Sequence, residues 1–203
     1  MAEIVIVNGY AGAGKSTQGT RLAREGFNGI TVHHVSAGNR LRDIKTGRSP
    51  SRFSADINLP NAPSPLPDEV VNGVVFEAIS GDPYDTLVLM DGYPRLPGAV
   101  AIFHNMLQAE GHQLIGTIAM EILRETSIER VLTRGGRAGE IIKEGDLEWY
   151  AAHRYDEYSL TTTLAIGELG LLAPIERIDA GRDIDAVYLD FKAALGRLTV
   201  GHD

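Results

Sequence analysis

The stretch GYAGAGKS at residues 9–16 matches the pattern G-x-x-x-x-G-K-[ST], which binds the phosphates of nucleoside triphosphates. Its glycines let the backbone approach phosphate oxygens closely and turn several N–H groups inward. Lys15 would add a positive charge to the β- and γ-phosphates, and the Ser16 hydroxyl could ligate Mg²⁺. An apolar run precedes the pattern and a helix-forming segment follows it, which disfavours a purely structural glycine turn. The sequence therefore predicts a nucleoside triphosphate site and leaves the reaction open.

Arginines are the second set of side chains that could do chemistry here. A guanidinium grips two phosphate oxygens at once, so arginines converging on one point favour transfer of a phosphoryl group. Arg130 and Arg134 are four residues apart on one face of a predicted helix, where like charges repel mildly unless they share an anionic partner. A solvated basic helix end is the alternative explanation for this pair. The arginines considered for a phosphate site are Arg42, Arg95, Arg130, Arg134, Arg137 and Arg154.

Short apolar runs alternate with helix-forming segments along the chain. The predicted strands are 3–8, 30–35, 86–90, 113–120 and 174–179. The predicted helices are 15–25, 37–46, 67–79, 97–110, 126–134, a long one that ends near 169, and a last one from about 183. This alternation predicts an α/β fold in a single domain, with a five-stranded, mostly parallel sheet between helices. The irregular stretches 47–66 and 135–145 are predicted to be mobile covers.

The composition limits the possible partners. The chain has 203 residues, which suits one α/β domain, and its net charge of −8 argues against general binding to nucleic acid or acidic membranes. No apolar run approaches the length of a membrane span, and no signal peptide is recognisable. The absence of cysteine excludes disulfides, thiolate catalysis and cysteine-bound zinc. We expect a cytoplasmic, monomeric protein.

Six segments, in the same order along the chain, resemble nucleoside monophosphate kinases of the adenylate kinase type. They are GYAGAGKSTQGTRLA (9–23), HHVSAGNRLRDI (33–44), LPDEVV (66–71), LVLMDGYPR (87–95), RVLTRGGR (130–137) and DLEWYAAHRYDEY (146–158). The resemblance implies a P-loop fold with an acceptor-binding insertion at 36–80 and a short lid at 134–145. The implied reaction is ATP + AMP = 2 ADP, with Mg²⁺ as cofactor.

The resemblance also implies roles for individual residues. Lys15, Arg95, Arg130, Arg134 and Arg154 would act on the transferring phosphoryl group. ATP would be bound by Gly9, Gly12, Ala13, Gly14, Lys15, Ser16, Thr17, Arg130, Arg134 and Arg182. The monophosphate would be bound by Ser36, Ala37, Gly38, Arg42, Leu66, Gly92, Arg95, Arg137 and Arg154. Asp91 would hold Mg²⁺ through water, beside Ser16, while Arg137 and Lys143 compete for one position in the lid.

Departures from the family pattern concern mainly the acceptor. The family has a glutamine a few residues after the arginine of D-G-F/Y-P-R, and its amide reads the adenine of AMP. Gly98 or Ala99 stands at that place here. Because a missing amide removes hydrogen bonds that discriminate between bases, another monophosphate or a non-nucleotide acceptor is an alternative. Ser16 and Ala37 replace a glycine and a frequent threonine of the family, neither of which threatens the reaction.

A nucleotide-binding switch without turnover is a further alternative. The set of arginines disfavours it, and the N-K-x-D motif of a GTPase is absent. His33 and His34 are adjacent on a predicted strand, so their side chains point to opposite faces and cannot bind one metal ion. These histidines are predicted to be packing or surface residues, and the same prediction applies to Trp149, Tyr150, Tyr155 and Tyr158.

Overall fold

Five parallel strands form the central sheet of the computed structural model, which describes residues 2–59, 66–80, 86–134 and 146–200. The strands are β1 (Glu3–Gly9), β2 (Thr31–Ser36), β3 (Thr86–Asp91), β4 (Gln113–Glu121) and β5 (Ile175–Asp179). Their order across the sheet is β2-β3-β1-β4-β5, and each neighbouring pair is parallel. The predicted fold is therefore confirmed. In open sheets of this kind, ligands bind outside the carboxyl ends of the strands.

Helices lie on both faces of the sheet in the part of the chain that the structure describes. They are α1 (Lys15–Glu25), α2 (Ala37–Lys45), α3 (Ser54–Ile57), α4 (Asp68–Ile79), α5 (Pro97–Ala109), α6 (Arg124–Thr133), α7 (Leu147–Glu157), α8 (Thr163–Leu169) and α9 (Ile184–Thr199). A π-helical turn, Tyr158–Thr162, joins α7 to α8. None of these described helices is long and apolar enough to span a membrane.

The sheet is buried on both faces, which explains why β1 and β3 are continuous apolar runs rather than alternating ones. One face packs against residues of α1 and α9, among them Leu22 and Phe191. The other face packs against α4, α5 and α8, where Phe103 is fully buried. Since apolar burial is the main source of stability, these two layers fix the strand ends that carry the site.

The region predicted as an acceptor-binding insertion has a small core of its own. Ile44 of α2, Ile57 of α3 and Val74 of α4 are buried against one another. Helix α3 lies inside a stretch predicted to be irregular, and it begins after Phe53, whose ring packs against Gly73 of α4. The assignment of residues 36–80 to the acceptor stays a prediction. Nearly all of the proposed lid, 135–145, lies outside the described residues.

Two further details differ from the sequence prediction. Helix α6 begins at Arg124 rather than at Thr126, and its N-cap residue, Leu123, makes no side-chain cap, so the predicted capping role of Thr126 was wrong. The long helix expected to end near 169 is interrupted by the π-helical turn. The start of the last helix near 183 is accurate because the Asp183 carboxylate accepts hydrogen bonds from the N–H groups of Asp185 and Ala186.

Gly9, at the end of β1, offers a test of how closely the phosphate loop is held to the sheet. A Cβ atom at this position would lie 2.7 Å from the Met120 carbonyl oxygen of β4. Because two backbones would have to separate, Gly9→Ala is expected to lower the free energy of unfolding in urea by about 2 kcal/mol. Gly167→Ala is the control, since that helical glycine has nothing within 4 Å of its Cβ position and should gain about 1 kcal/mol. Equal stability of the two variants would contradict this packing.

Candidate active site

A cavity of about 720 Å³ lies at the carboxyl ends of β1, β2 and β3. Its walls combine the phosphate loop, the start of α2, the turn after β3, and part of α7 with the π-helical turn. The predicted site residues that line it are Gly9, Gly12, Gly14, Lys15, Ser16, Thr17, Ser36, Ala37, Gly38, Arg42, Leu66, Asp91, Gly92, Arg95, Arg134 and Arg154. The structure thus brings most of the predicted residues to one space.

The phosphate loop has the backbone geometry that its glycines predict. Gly12 and Gly14 have φ angles of 75° and 84°, in the region that glycine adopts without strain. The Lys15 ammonium donates to the carbonyl oxygens of Gly9, at 2.5 Å, and Tyr10, at 2.9 Å. Lys15 is also the first residue of α1, so its charge adds to the positive end of that helix. The loop is therefore suited to bind the phosphates of a nucleotide.

Helix α6 holds this loop from the side. The Ser127 hydroxyl donates to the Ala11 carbonyl oxygen at 2.7 Å. The Arg130 guanidinium donates to four backbone carbonyl oxygens, at 3.3 Å, 2.7 Å, 3.0 Å and 3.0 Å, which belong to Gly12, Ala180, Gly181 and Arg182 respectively. Arg130 thereby ties the phosphate loop to the loop after β5, and it does not line the cavity.

Three other predicted residues do not line the cavity among the described residues. Ala13 is buried in the core, and the Arg182 guanidinium forms an ion pair with Asp190 on α9. Arg137 lies outside the described residues, as does Lys143, so the choice between them stays open. The roles assigned to these residues remain predictions.

Ser16 and Asp91 meet where a metal ion bound to nucleotide phosphates would lie. The Ser16 hydroxyl donates to Asp91 Oδ2 at 2.5 Å, and His34 Nε2 lies 3.5 Å from the same oxygen. Burial alone would raise the pKa of the Asp91 carboxyl, but His34, the charge of Lys15 and the Ser16 hydroxyl together lower that pKa below its usual value. Asp91 is therefore ionised at neutral pH although it is buried.

These oxygens fit Mg²⁺, which prefers hard oxygen ligands and keeps several waters. In the described segments no group of three His, Cys, Asp or Glu side chains could hold a metal ion by itself. Mg²⁺ would therefore take further ligands from water and phosphate, with Ser16 and Asp91 on the protein side.

The turn after β3 aims Arg95 into the cavity. Gly92 has a φ angle of 76°, and a Cβ atom there would lie 2.7 Å from Arg95 Nη2, so glycine is required on both counts. Arg95 Nε donates to the Gly92 carbonyl oxygen at 2.7 Å, and the Asn8 amide donates to the Pro94 carbonyl oxygen at 3.0 Å. The peptide bond between Tyr93 and Pro94 is cis. These contacts fix the direction of the guanidinium relative to β1.

Arg95 and Arg154 place two positive charges close together in the wall of the cavity. Burial lowers the pKa of the Arg95 guanidinium, and the charge of Arg154 lowers it further. Arg154 has only a weak hydrogen bond, 3.5 Å long, to the Tyr150 hydroxyl, and its buried Nε has no partner. Two like charges in a partly desolvated wall favour a shared anionic ligand.

The acceptor side of the cavity has apolar walls. They are formed by Leu41, Ile57, Leu66, Val71 and Leu96. Ala99 is fully buried, so the structure leaves Gly98 as the position from which a side chain could reach outward. A Cβ atom on Gly98 would have nothing within 4 Å. No amide therefore stands where the family has its adenine-reading glutamine.

Two contacts of the site were missed at the sequence level. His34 was assigned to packing or the surface, yet it lies beside Asp91 in the cavity wall region. Tyr155 and Tyr158 do pack, as predicted, but their partner is Tyr10 of the phosphate loop, at ring distances of 4.3 Å and 4.2 Å. The aromatic residue inside the glycine-rich loop was the available signal for the second contact.

The strand, the glycine-rich loop and the helix that presents Lys15 together define a P-loop nucleoside triphosphate-binding domain. In agreement, the AAA domain family matches residues 8–148, which is more than half of the chain.

Curated relatives narrow the class further. The chain is 30% identical to adenylate kinase from Micrococcus luteus, over 90% of this chain and 85% of that protein. It is 29% identical to adenylate kinase from Kocuria rhizophila, over 95% and 98% of the two chains. It is 27% identical to adenylate kinase from Thermus thermophilus, over 97% and 98%. The chain belongs to the adenylate kinase family, which confirms the resemblance of its six segments.

Arg154 provides a test of the uncompensated charge in this wall. Arg154→Met removes a buried donor without a partner and the repulsion with Arg95, so the ligand-free protein should gain about 1 kcal/mol in urea unfolding. The same variant should lose most of the thermal stabilisation that AMP gives the wild type. Arg197→Met, which removes an exposed arginine paired with Glu176, should keep that stabilisation. Unchanged stabilisation by AMP in Arg154→Met would contradict a phosphate partner for Arg154.

Proposed function

We propose that the protein transfers the γ-phosphoryl group of Mg·ATP to AMP, giving two ADP. The observation that carries this proposal is that one cavity joins the phosphate loop to Arg95, Arg134 and Arg154. A donor and an acceptor that each carry phosphate can meet there, with positive charge on both sides of the transferring group. Membership of the adenylate kinase family supports the same reaction.

On the donor side, the phosphate loop and the N-terminus of α1 hold the β- and γ-phosphates. Lys15 is 2.5 Å and 2.9 Å from loop carbonyl oxygens and would exchange these contacts for phosphate oxygens. Ser16 and Asp91 would hold Mg²⁺, Asp91 through water. The metal ion supplies charge neutralisation to the phosphates when it is bound.

On the acceptor side, Arg42 and Arg95 would grip the phosphate of AMP, with the backbone of residues 36–38 beside it. An oxygen of this phosphate attacks the γ-phosphorus of ATP, and the bond from that phosphorus to the β–γ bridging oxygen breaks, leaving ADP on both sides. Arg134 and Arg154 would neutralise the charge that spreads over the transferring group. Arg130 would act indirectly, because it holds the loop 180–182 against the phosphate loop.

Closure of covers over the cavity would exclude water, which would otherwise hydrolyse ATP. The proposed covers are the insertion at 36–80 and the lid at 134–145. The monomeric state and the cytoplasmic location stay predictions from the sequence.

Transfer to further nucleoside monophosphates is a second candidate function. It is favoured by the open space at Gly98, since no side-chain amide discriminates between bases there.

A panel of AMP, GMP, CMP and UMP with Mg·ATP tests the reaction in a coupled assay for ADP. We expect turnover with AMP, and Arg95→Ala should lower kcat/KM at least about a hundredfold because a charged group at the transferring phosphoryl is lost. Arg197→Ala is the control, because Arg197 is exposed and pairs only with Glu176 on the protein surface. Absence of transfer to every monophosphate would reject the proposed function, and near-normal turnover by Arg95→Ala would remove Arg95 from its role.

Gly98→Gln tests the base discrimination. The new amide would extend into open space at the start of α5, so the preference for AMP over the other monophosphates should increase about tenfold in kcat/KM. Gly98→Ala is the matched control, because it gives the helix the same loss of backbone freedom without an amide. An equal change in both variants would show that position 98 does not contact the base.

A further inference from the structure

Tyr10 occupies a place in the phosphate loop where its ring leaves the loop and enters a stack of three tyrosines. Its ring centroid lies 4.3 Å from that of Tyr155, with an interplanar angle of 19°, and 4.2 Å from that of Tyr158, with an angle of 47°. The Ser159 hydroxyl also lies 3.4 Å from the Tyr10 hydroxyl, to which it donates. The second residue of the loop is therefore held by side chains that come from about 150 residues further along the chain.

One end of this stack is part of the phosphate-binding backbone. The Tyr10 carbonyl oxygen accepts hydrogen bonds from Lys15 Nζ, at 2.9 Å, and from the Ala13 N–H, at 3.2 Å. Any shift of the Tyr10 backbone would consequently shift the ammonium and the turn that meet the donor phosphates.

The other end carries the arginine that we assign to the transferring group. Tyr155 directly follows Arg154 on α7, and Tyr158 itself lines the cavity. Tyr158 also begins the π-helical turn, and such turns often occur at functional sites. Burial and the neighbouring Tyr10 raise the pKa of the Tyr155 phenol, so these rings meet in their neutral form at physiological pH.

We propose that Tyr10 is a positioning residue: its stack with Tyr155 and Tyr158 fixes the distance between the phosphate loop and Arg154. The inference rests on the proposed function, because it assigns Arg154 to the transferring phosphoryl group. The loop and α7 belong to distant parts of the chain, and the ring contacts join them directly beside the cavity.

The physical consequence is a separation between binding and turnover. ATP can bind to a loop that has lost the stack, because the backbone N–H groups and Lys15 remain in place. The transition state needs the loop and Arg154 at one fixed separation, and a misplacement of about 1 Å can cost as much as a hundredfold in rate. Loss of the stack should therefore lower kcat more than it raises KM.

Four variants test this by steady-state kinetics with ATP and AMP. Tyr10→Leu keeps an apolar side chain without a ring and should lower kcat about tenfold or more, while both KM values change less than about threefold. Tyr10→Phe retains both ring contacts and should keep kcat close to the wild-type value. Tyr155→Leu removes the other ring and should reproduce Tyr10→Leu, and the double variant should be little worse than either single one, because both remove the same coupling.

Tyr188→Leu controls for general loss of stability. Tyr188 is buried between α9 and α1, where its hydroxyl donates to Glu25 at 2.6 Å, far along the sheet face from the tyrosine stack. This variant should lower the free energy of unfolding but leave kcat unchanged at temperatures well below its Tm. Wild-type kcat in Tyr10→Leu, a loss in Tyr10→Phe equal to that in Tyr10→Leu, or an effect confined to the KM for ATP would each overturn the inference.

A second measurement does not depend on turnover and so separates this inference from the proposed function. A non-hydrolysable ATP analogue is added at saturation, and amide hydrogen exchange is followed in residues 147–162. Exchange should slow in the wild type and in Tyr10→Phe, and it should not slow in Tyr10→Leu although the analogue still binds. Equal protection in all three proteins, or none in the wild type, would overturn the inference, whereas a missing AMP kinase activity alone would reject only the proposed function.

Discussion

Positive charge held without neutralising carboxylates is the constraint on which the rest of the structure depends. Arg95 and Arg154 lie in one cavity wall, and no carboxylate of the described residues is within ion-pair distance of either. In the empty protein this arrangement costs free energy, since burial and mutual repulsion both disfavour the charged guanidinium of Arg95. The cost is offset when phosphates enter, so an acidic protein with a net charge of −8 can still bind polyanions at this one place.

The fold positions these cations with backbone carbonyl groups. Lys15 donates to the carbonyl oxygens of Gly9 and Tyr10, Arg95 to that of Gly92, and Arg130 to four more. A carbonyl oxygen satisfies an N–H group and fixes its direction, but it leaves the net charge available for a ligand. A carboxylate partner would have fixed the side chain equally well and cancelled the charge. Asp91 is the buried carboxylate at the site, and it faces Ser16 and His34, where a metal ion requires negative charge.

This use of the backbone also explains what the sequence could predict. The phosphate loop, the five strands and most cavity residues were predictable, because glycine, lysine and apolar runs at fixed spacing have local physical meanings. The carbonyl partners of Arg130 could not be predicted, because any residue type supplies a carbonyl oxygen and only the fold brings residues 180–182 to α6. The contact of His34 with Asp91 was hidden for the same reason, since it depends on the register between β2 and β3. The π-helical turn is likewise a matter of packing, with Tyr158 and Thr162 buried at its two ends.

The two halves of the cavity are held to different degrees. The phosphate side is fixed from three directions: by Ser127 and Arg130 on α6, by the tyrosine stack, and by the Asn8 contact to the turn that carries Arg95. The base side has apolar walls and open space at Gly98, with no amide to read a base. Since phosphate contacts carry charge-assisted hydrogen bonds and apolar walls carry little directional information, the structure concentrates recognition on the phosphates. The rate of phosphoryl transfer should then depend strongly on the geometry of the loop and the arginines, and only weakly on which base occupies the apolar half.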